Sequence, residues 1–181
     1  MSVGKYYTGV GSRETPEDIL AFMEKVGQRM DELGYIGRSG SADGADLAFE
    51  KGFLKSRKSF FEAYLPWKGF NNKCEEIHIV SSYFDNYEEA VEIASKIHPV
   101  FDRLSRGAKA LHTRNVYQVL GRDLNTPSNV LFCYAQPTKN GVKGGTNTAV
   151  QLAIQNGVKV YNFYFKEDIE EVCNKLRITY D

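Results

Sequence analysis

The chain has 181 residues, which is enough for one domain with a sizeable apolar core. Hydrophobic residues make up 42% and charged residues 25% of it, as in an ordinary globular protein. Because 23 basic residues balance 23 acidic ones, the net charge is zero, and the overall charge does not indicate a nucleic-acid or membrane partner.

The cysteines and the chain start bear on the cellular setting. Cys74, Cys133 and Cys173 are far apart and form no CxxC pair, so the sequence indicates neither a zinc site nor a disulfide framework. No basic segment followed by an apolar run opens the chain, and no later run is long enough to cross a bilayer. We therefore expect a cytoplasmic protein with no membrane partner, no metal and no cofactor.

Apolar runs and helical patterns alternate along the whole chain. The first run ends at Gly11, and the helix after it has a proline and two acids in its first turn. Taken in order, the patterns predict a strand at residues 5–10, a helix from 15 to 34, a strand at 35–38, a helix around 47–51, a strand at 60–65, helices at 87–97 and 111–120, a strand at 129–134, a helix to residue 156, a strand at 158–165 and a helix at 169–176.

This alternation over residues 1–181 predicts one α/β domain. We expect a Rossmann-like, mainly parallel sheet with right-handed crossovers and helices on both faces. Residues 129–134 form a continuous apolar run, which is typical of a strand in the middle of a parallel sheet. Ligands of such sheets bind beyond the carboxyl ends of the strands, where the strand order reverses.

Three glycine-containing turns follow predicted strands and should reach that edge together. Each turn alone is explained equally well by the need for glycine in a tight turn. Their joint placement predicts a ligand site with contributions from Gly11, Ser12, Arg13, Ser39, Gly40, Ser41, Asp46, Gly144, Gly145, Thr146, Asn147 and Thr148.

The third turn, residues 143–151, carries the sharpest signal. Gly144 and Gly145 let an anion approach without meeting a Cβ atom, and the helix after them presents free N–H groups and a partial positive charge. Lys143 adds a cation, and Asn147 is expected to tolerate a left-handed conformation. We therefore predict a phosphate-binding loop. The dinucleotide fingerprint GxGxxG and the Walker pattern GxxxxGK[ST] are both absent.

The three blocks resemble the SLOG superfamily, a Rossmann-like group that includes the Lonely Guy phosphoribohydrolases and DNA-processing protein A. The second block, residues 39–46, is similar to the SGGA.G.D form of the DNA-processing branch. The third resembles the PGGxGTxxE motif of the phosphoribohydrolases, and residues 111–115 resemble the MHxRK-like helix start that precedes it. The likeness covers roughly residues 5–52 and 111–165.

The resemblance implies roles for individual residues. It places Arg114 on an active-site arginine, with His112 and Asn115 beside it, and Gln151 on the catalytic glutamate. A carboxylate stabilises an oxocarbenium-like transition state or activates water, whereas an amide only forms hydrogen bonds. Whether the chain is an enzyme is therefore open. Asp46 or Glu50 are candidate replacement acids. The resemblance also implies a homo-oligomer.

Several of these residues have a second interpretation. Arg114 and Arg13 are either phosphate ligands or surface ion-pair partners, and Arg38 is a candidate partner of Asp46. Asp43 and Asp46 are either ribose ligands or turn formers, and His112 is either an acid–base group or bonded to backbone. Trp67 and the aromatic cluster Phe60, Phe61 and Tyr64 either stack on a base or pack the core.

The leading hypothesis is a protein that binds a phosphorylated nucleotide or an ADP-ribose-like ligand, as a sensor, carrier or sequestering protein. One alternative is hydrolysis of the N-glycosidic bond of nucleoside monophosphates. The other is single-stranded DNA binding in recombination, for which Lys55, Arg57, Lys58 and Lys68 form a modest basic cluster; the neutral net charge disfavours it.

Overall fold

A six-stranded parallel sheet forms the centre of the protein in a computed structural model that describes residues 4–181. The strand order is β4-β3-β2-β1-β5-β8, and a separate two-stranded hairpin is formed by β6 and β7. The strands are β1 (Tyr6–Gly9), β2 (Ile36–Ser39), β3 (Phe61–Leu65), β4 (His78–Val80), β5 (Val130–Cys133), β6 (Pro137–Thr138), β7 (Gly141–Val142) and β8 (Lys159–Asn162).

Helices cover both faces of the sheet, which confirms the predicted α/β class. They are α1 (Glu17–Glu32), α2 (Ala45–Ser56), α3 (Tyr87–Ile97), α4 (Arg106–Leu120), α5 (Thr146–Gln155) and α6 (Lys166–Leu176). One apolar core joins α1, α2 and α6 to the sheet, and a second joins α3, α4 and α5 to its other face. Within residues 4–181, no helix has the length and apolar composition needed to span a bilayer.

The contact between α1 and α2 shows how the sequence sets the packing. Four apolar residues of α1 at helical spacing, Phe22, Met23, Val26 and Met30, are buried. Where the helices meet, a Cβ atom added at Gly52 would lie 2.3 Å from the Glu24 carbonyl oxygen. Glycine at this position therefore lets the two backbones touch.

The strand order reverses at β1. From β1 the chain adds β2, β3 and β4 on one side, and then β5 and β8 on the other. Thr8 in β1 pairs with Arg38 of β2 and with Leu131 of β5. In an open parallel sheet, such a reversal leaves a crevice at the carboxyl ends of the two central strands. The site is therefore expected above β1 and β5.

The structure differs from the sequence prediction in three places. Helix α4 begins at Arg106 behind an N-cap on Ser105, five residues before the predicted start, so Arg114 lies inside the helix. The strand predicted at residues 158–165 ends at Asn162, because the Asn162 side chain accepts hydrogen bonds from the Ala135 and Tyr164 N–H groups. Strand β4 and the β6–β7 hairpin were not predicted at all.

Candidate functional site

A cavity of about 550 Å³ opens at the reversal point, between the carboxyl ends of the strands and helix α4. It is the place where the predicted site residues meet, though not all of them reach it. Ten of them line it: Gly11, Ser12, Arg13, Asp46, His112, Arg114, Asn115, Gly144, Gly145 and Thr146. Six do not: Ser39, Gly40, Ser41, Asn147, Thr148 and Gln151.

The first turn is fastened to the end of β5. The Ser12 N–H donates to the Tyr134 carbonyl oxygen (3.0 Å), and the Ser12 hydroxyl accepts from the Glu14 N–H (3.0 Å). A Cβ atom at Gly11 would lie 2.7 Å from the Ala45 Cβ, so glycine is needed for this close approach. The turn leaves Arg13 exposed at the cavity, and Arg13 forms no ion pair with any residue in 4–181.

In the second turn, side chains of the protein itself occupy the space beside the backbone, and the serine hydroxyl groups bond within the protein. Ser39 donates to the Gly9 carbonyl oxygen, and the buried Ser41 hydroxyl donates to Glu50 Oε1 (2.6 Å). Ser41 has φ 59°, a left-handed conformation that is uncommon for a residue with a side chain. The hydroxyl groups predicted to bind phosphate are thus bonded internally, and only Ala42 and Asp46 of this block line the cavity.

Arg114 explains why the second turn needs glycine. Its guanidinium Nη1 donates to the carbonyl oxygens of Gly40 and Tyr64, and its Nε donates to Asn115 Oδ1 (3.0 Å). A Cβ atom at Gly40 would lie 2.3 Å from Arg114 Nη1 and 2.2 Å from the Gln118 side chain. The arginine is 4% exposed, and burial lowers its pKa to about 10. Its bonds join α4 to the second turn.

Asp46 is the buried acid of the cavity. It lies in the first turn of α2, and its Oδ2 accepts a hydrogen bond from the Ala42 N–H (3.2 Å). Burial raises its pKa to about 6, although the nearby Arg114 and the hydrogen bonds act in the opposite direction. Its partner is not Arg38, as the sequence suggested, because Arg38 pairs with Glu62 (3.2 Å). Arg38 also lies over the Tyr6 ring, away from the cavity.

The third turn is open. Gly144 has φ 82°, Gly145 precedes α5, and Cβ atoms added at either glycine would meet no atom within 4 Å. The first turn of α5 contains no acid. Lys143 lies exposed at the cavity and has no ion-pair partner within residues 4–181. The Asn115 side chain donates to the Gly145 carbonyl oxygen (3.1 Å) and so holds this turn to α4.

The remaining residues of the third block hold the hairpin. Asn147 lies within α5 and does not take the left-handed conformation predicted for it, which Gly144 has instead. Asn147 Oδ1 accepts from the Val142 N–H (3.1 Å) and from the Gln151 amide (3.2 Å), and the same amide donates to the Asn140 carbonyl oxygen. Gln151, which the sequence resemblance aligns with a catalytic glutamate, therefore faces the hairpin.

His112 lies at the cavity wall between two elements. Its Nδ1 is 2.7 Å from the Thr148 hydroxyl of α5, and its ring packs edge-on against His98. Burial, together with His98 and Arg114, lowers its pKa to about 4. His112 is therefore neutral near pH 7. No group of metal-ligating side chains occurs among residues 4–181.

The aromatic residues at the cavity are not those suggested by the sequence. Tyr134 and Tyr164 line it, with ring centroids 5.9 Å apart. By contrast, Phe61 and Tyr64 are buried in the core, Phe60 is 72% exposed, and Trp67 packs against Phe70 outside the cavity. The sequence did not predict Tyr164 at the cavity, because its pattern indicates a single strand over residues 158–165, whereas β8 ends at Asn162.

The basic cluster does not join the cavity either. Lys55, Arg57 and Lys58 lie at or just after the C-terminal end of α2, whereas the cavity lies at the N-terminal end of that helix. Lys68 follows β3 and does not line the cavity. Lys55 also pairs with Glu24 of α1 (2.9 Å). The structure thus separates these cations from the predicted ligand site.

Gln118 is a cavity residue that the sequence did not reveal. It is 1% exposed, and with its amide oxygen turned toward the donors it accepts from Arg114 Nε and the Gly40 N–H, both at 3.1 Å. Its position one turn after Arg114, inside the helix predicted at residues 111–120, is the signal that could have found it.

Comparison with known proteins supports the fold. No protein-family model matches the chain, and no curated protein matches its sequence. The Moco carrier protein of Chlamydomonas rheinhardtii superposes with a TM-score of 0.50 at 18% identity, over 88% of this chain and 76% of that one. DNA processing protein A from Streptococcus pneumoniae superposes with a TM-score of 0.51 at 16% identity, over 96% of this chain.

The chain spans only 56% of the length of that DNA processing protein A. The likeness confirms the predicted Rossmann-like fold, which the chain shares with both proteins. One structural neighbour is by name a carrier of Moco and another is a DNA processing protein.

Proposed function

We propose that this protein binds a phosphorylated nucleotide or an ADP-ribose-like ligand in the cavity above β1 and β5. The observation that carries the proposal is the open third turn. Two glycines there face space free of protein atoms, directly before a ten-residue helix, with Lys143 and Arg13 exposed beside the same cavity. Free N–H groups, the helix dipole and two cations that form no ion pair within residues 4–181 suit a phosphate.

A comparison of two helix starts supports the position of the phosphate. Both α2 and α5 begin at the cavity, but α2 carries Asp46 in its first turn and α5 carries no acid. The Asp46 carboxylate already accepts the Ala42 N–H and would repel a second anion. A phosphate is therefore favoured at α5.

The size and walls of the cavity fit the rest of such a ligand. A volume of about 550 Å³ lies within the range of roughly 300–1,000 Å³ that is usual for small-molecule sites. Tyr134 and Tyr164 offer ring faces at the wall, and aromatic rings stack favourably on nucleobases. Both properties favour a ligand with a flat ring and a phosphate.

The role of sensor, carrier or sequestering protein follows from the position of Gln151. The residue that the resemblance aligns with a catalytic glutamate is an amide bonded to the hairpin, outside the cavity lining. The carrier named among the structural neighbours is compatible with this role. We also propose a homo-oligomer, which light scattering on the purified protein tests directly.

A matched pair of variants at Gly145 tests the phosphate site. Gly145→Asp places a carboxylate before α5, and Gly145→Asn places an uncharged side chain of the same shape there. Both residues are good N-caps, so both variants should fold. Titration calorimetry with AMP, GMP, ADP-ribose and cyclic nucleotides should show micromolar binding to the parent protein. We expect Gly145→Asp to weaken it at least tenfold more than Gly145→Asn does.

Two results would count against the proposal. One is the absence of binding by every nucleotide at high micromolar concentration. The other is an equal effect of Asp and Asn at position 145, because an anion at this helix start must respond to the added charge.

Hydrolysis of nucleoside monophosphates is a second candidate, and Asp46 is the observation that favours it. Asp46 is a buried carboxyl group at the cavity, with a pKa near 6, the range in which a carboxyl group serves as a general acid or base. Incubation with nucleoside monophosphates and chromatography for free base tests it. Base release that Asp46→Asn abolishes would establish hydrolysis, and no release would leave binding alone.

A further inference from the structure

We propose that Asp46 recognises a hydroxyl group of the ligand's sugar, so that the cavity selects ribonucleotides over deoxyribonucleotides. This inference rests on the proposed function and specifies its substrate class. The two ends of the cavity differ in chemistry. The proposed function assigns the phosphate to the α5 end and leaves the α2 end without a ligand group.

The α5 end offers donors and positive charge. Gly144 and Gly145 leave the helix start uncovered, and Lys143 lies beside them. The α2 end offers an acceptor, because Asp46 is 5% exposed, lines the cavity and accepts one backbone hydrogen bond, at Oδ2. The hydroxyl group of Ser39 lies close to the carboxylate, but its only proton is donated to the Gly9 carbonyl oxygen. A ligand that spans both ends therefore needs an anion at one end and a hydrogen-bond donor at the other.

Among residues 4–181, no salt bridge satisfies the second oxygen of Asp46. The nearest cation is Arg114, but the hydrogen bonds of its guanidinium go to Gly40, Tyr64, Asn115 and Gln118, and no contact within 4 Å joins it to the carboxylate. Glu50, one turn along α2, is bonded to Ser41, His78 and Lys73. Arg114 and Glu50 are thus bonded to other groups, and the second oxygen of Asp46 is available to a ligand.

The donor that suits this acceptor is a hydroxyl group. A second phosphate is excluded by like charge, and an apolar group would leave a buried carboxylate unsatisfied. Ribose presents two adjacent hydroxyl groups within a few ångströms of its 5′-phosphate, and a carboxylate forms strong, charge-assisted hydrogen bonds with them. A sugar that lacks the hydroxyl loses this bond, and the buried group is then left unpaired.

Paired nucleotides and two aspartate variants test the inference. The probes are AMP, GMP, CMP and UMP with their 2′-deoxy and 3′-deoxy counterparts, and the measurement is titration calorimetry on the full chain. We expect loss of one of the two hydroxyls to weaken binding about 10- to 100-fold. Asp46→Asn should reduce that preference to less than threefold while the deoxynucleotide binds as before.

The control is Asp43→Asn, the same chemical change three residues earlier. Asp43 is exposed, bonds to Asn71 and does not line the cavity, so its variant should keep the full preference. Equal binding of ribo and deoxy forms to the parent, or a preference that survives Asp46→Asn, would overturn the inference and leave the phosphate site standing. If no nucleotide of either series binds, the proposed function fails together with it.

Discussion

The second and third glycine turns look alike in sequence and differ in what surrounds them. Both follow a central strand or its hairpin, and both lead into a helix that starts at the cavity. At Gly40 the space of the missing side chain is occupied by Arg114 and Gln118, whereas at Gly144 and Gly145 it is empty. A glycine can thus serve the protein's own packing or the approach of a ligand, and only the surroundings distinguish the two.

The largest expected effect tests this comparison directly. Gly40→Ala would place a Cβ atom within 2.3 Å of two buried, hydrogen-bonded side chains, so we expect a loss of about 2–3 kcal/mol in the free energy of unfolding. Gly145→Ala, the matched change in the open turn, should alter stability by less than about 0.5 kcal/mol. Urea unfolding of both variants measures the difference. Similar losses would show that the two turns are not distinct.

A second prediction concerns the charge at the α2 end. The pKa of Asp46 is about 6 in the folded protein, compared with the ordinary value of 3.8 that we take for the unfolded chain. The protonated side chain therefore contributes fully to stability below pH 3.8, and this contribution is lost as the pH rises through 6. Asp46→Asn should therefore stabilise the protein by about 1–3 kcal/mol at pH 8 and by almost nothing at pH 4.

Urea unfolding at the two pH values measures this effect. A variant less stable than the parent at pH 8 would mean that attraction to Arg114 outweighs the burial of the carboxylate. The start of α2 would then be less unfavourable for an anion than we propose, and the argument that places the phosphate at α5 would be weakened.

Gln151→Glu tests whether the third turn has retained a catalytic position. The new carboxylate would face two acceptors, the Asn140 carbonyl oxygen and Asn147 Oδ1, in place of the amide that donates to them. We expect a loss of about 1 kcal/mol in unfolding free energy and no release of base from nucleoside monophosphates. Release of free base would show that residue 151 reaches the ligand after all.

The smallest expected effect is at Lys143. Because this side chain is exposed, Lys143→Gln should leave stability unchanged and weaken nucleotide binding only a few-fold at low salt. At 1 M salt the difference from the parent should disappear, since exposed charges are screened there. A calorimetric titration at two salt concentrations measures it. An effect that persists at high salt would assign Lys143 a direct bond to the phosphate.

The sequence predicted the fold well because its signals are local. Apolar runs marked β1, β2, β3 and β5 to within two residues, and their alternation with helical patterns was enough for a parallel sheet. Strand β4 has only three residues, and β6 and β7 have two each, so they carry too little periodicity to be predicted.

The site was harder to predict because its side chains act across elements. The sequence marks Gly144 and Gly145 as a glycine turn before a helix, but their openness depends on the surrounding residues, as the filled space at Gly40 shows. Arg114 donates hydrogen bonds to the carbonyl oxygens of Gly40 and Tyr64 because one face of α4 packs against the second turn. The spacing of residues in the sequence does not show which face this is. Tyr164 reaches the cavity because β8 ends at Asn162, and a pattern fixes such a boundary only to a few residues. Gln118 was missed because its role depends on the side of α4 that faces Gly40.

The short hairpin before α5 offers a place to observe the cavity without touching it. Its second strand runs directly into the third turn, Asn147 bonds it to α5, and its tip at Lys139 is exposed and outside the cavity lining. A fluorophore on a cysteine introduced at residue 139, in a chain with the exposed Cys74 replaced, would report any shift of the turn as an optical signal. The same geometry makes the hairpin a natural attachment point for a biosensor.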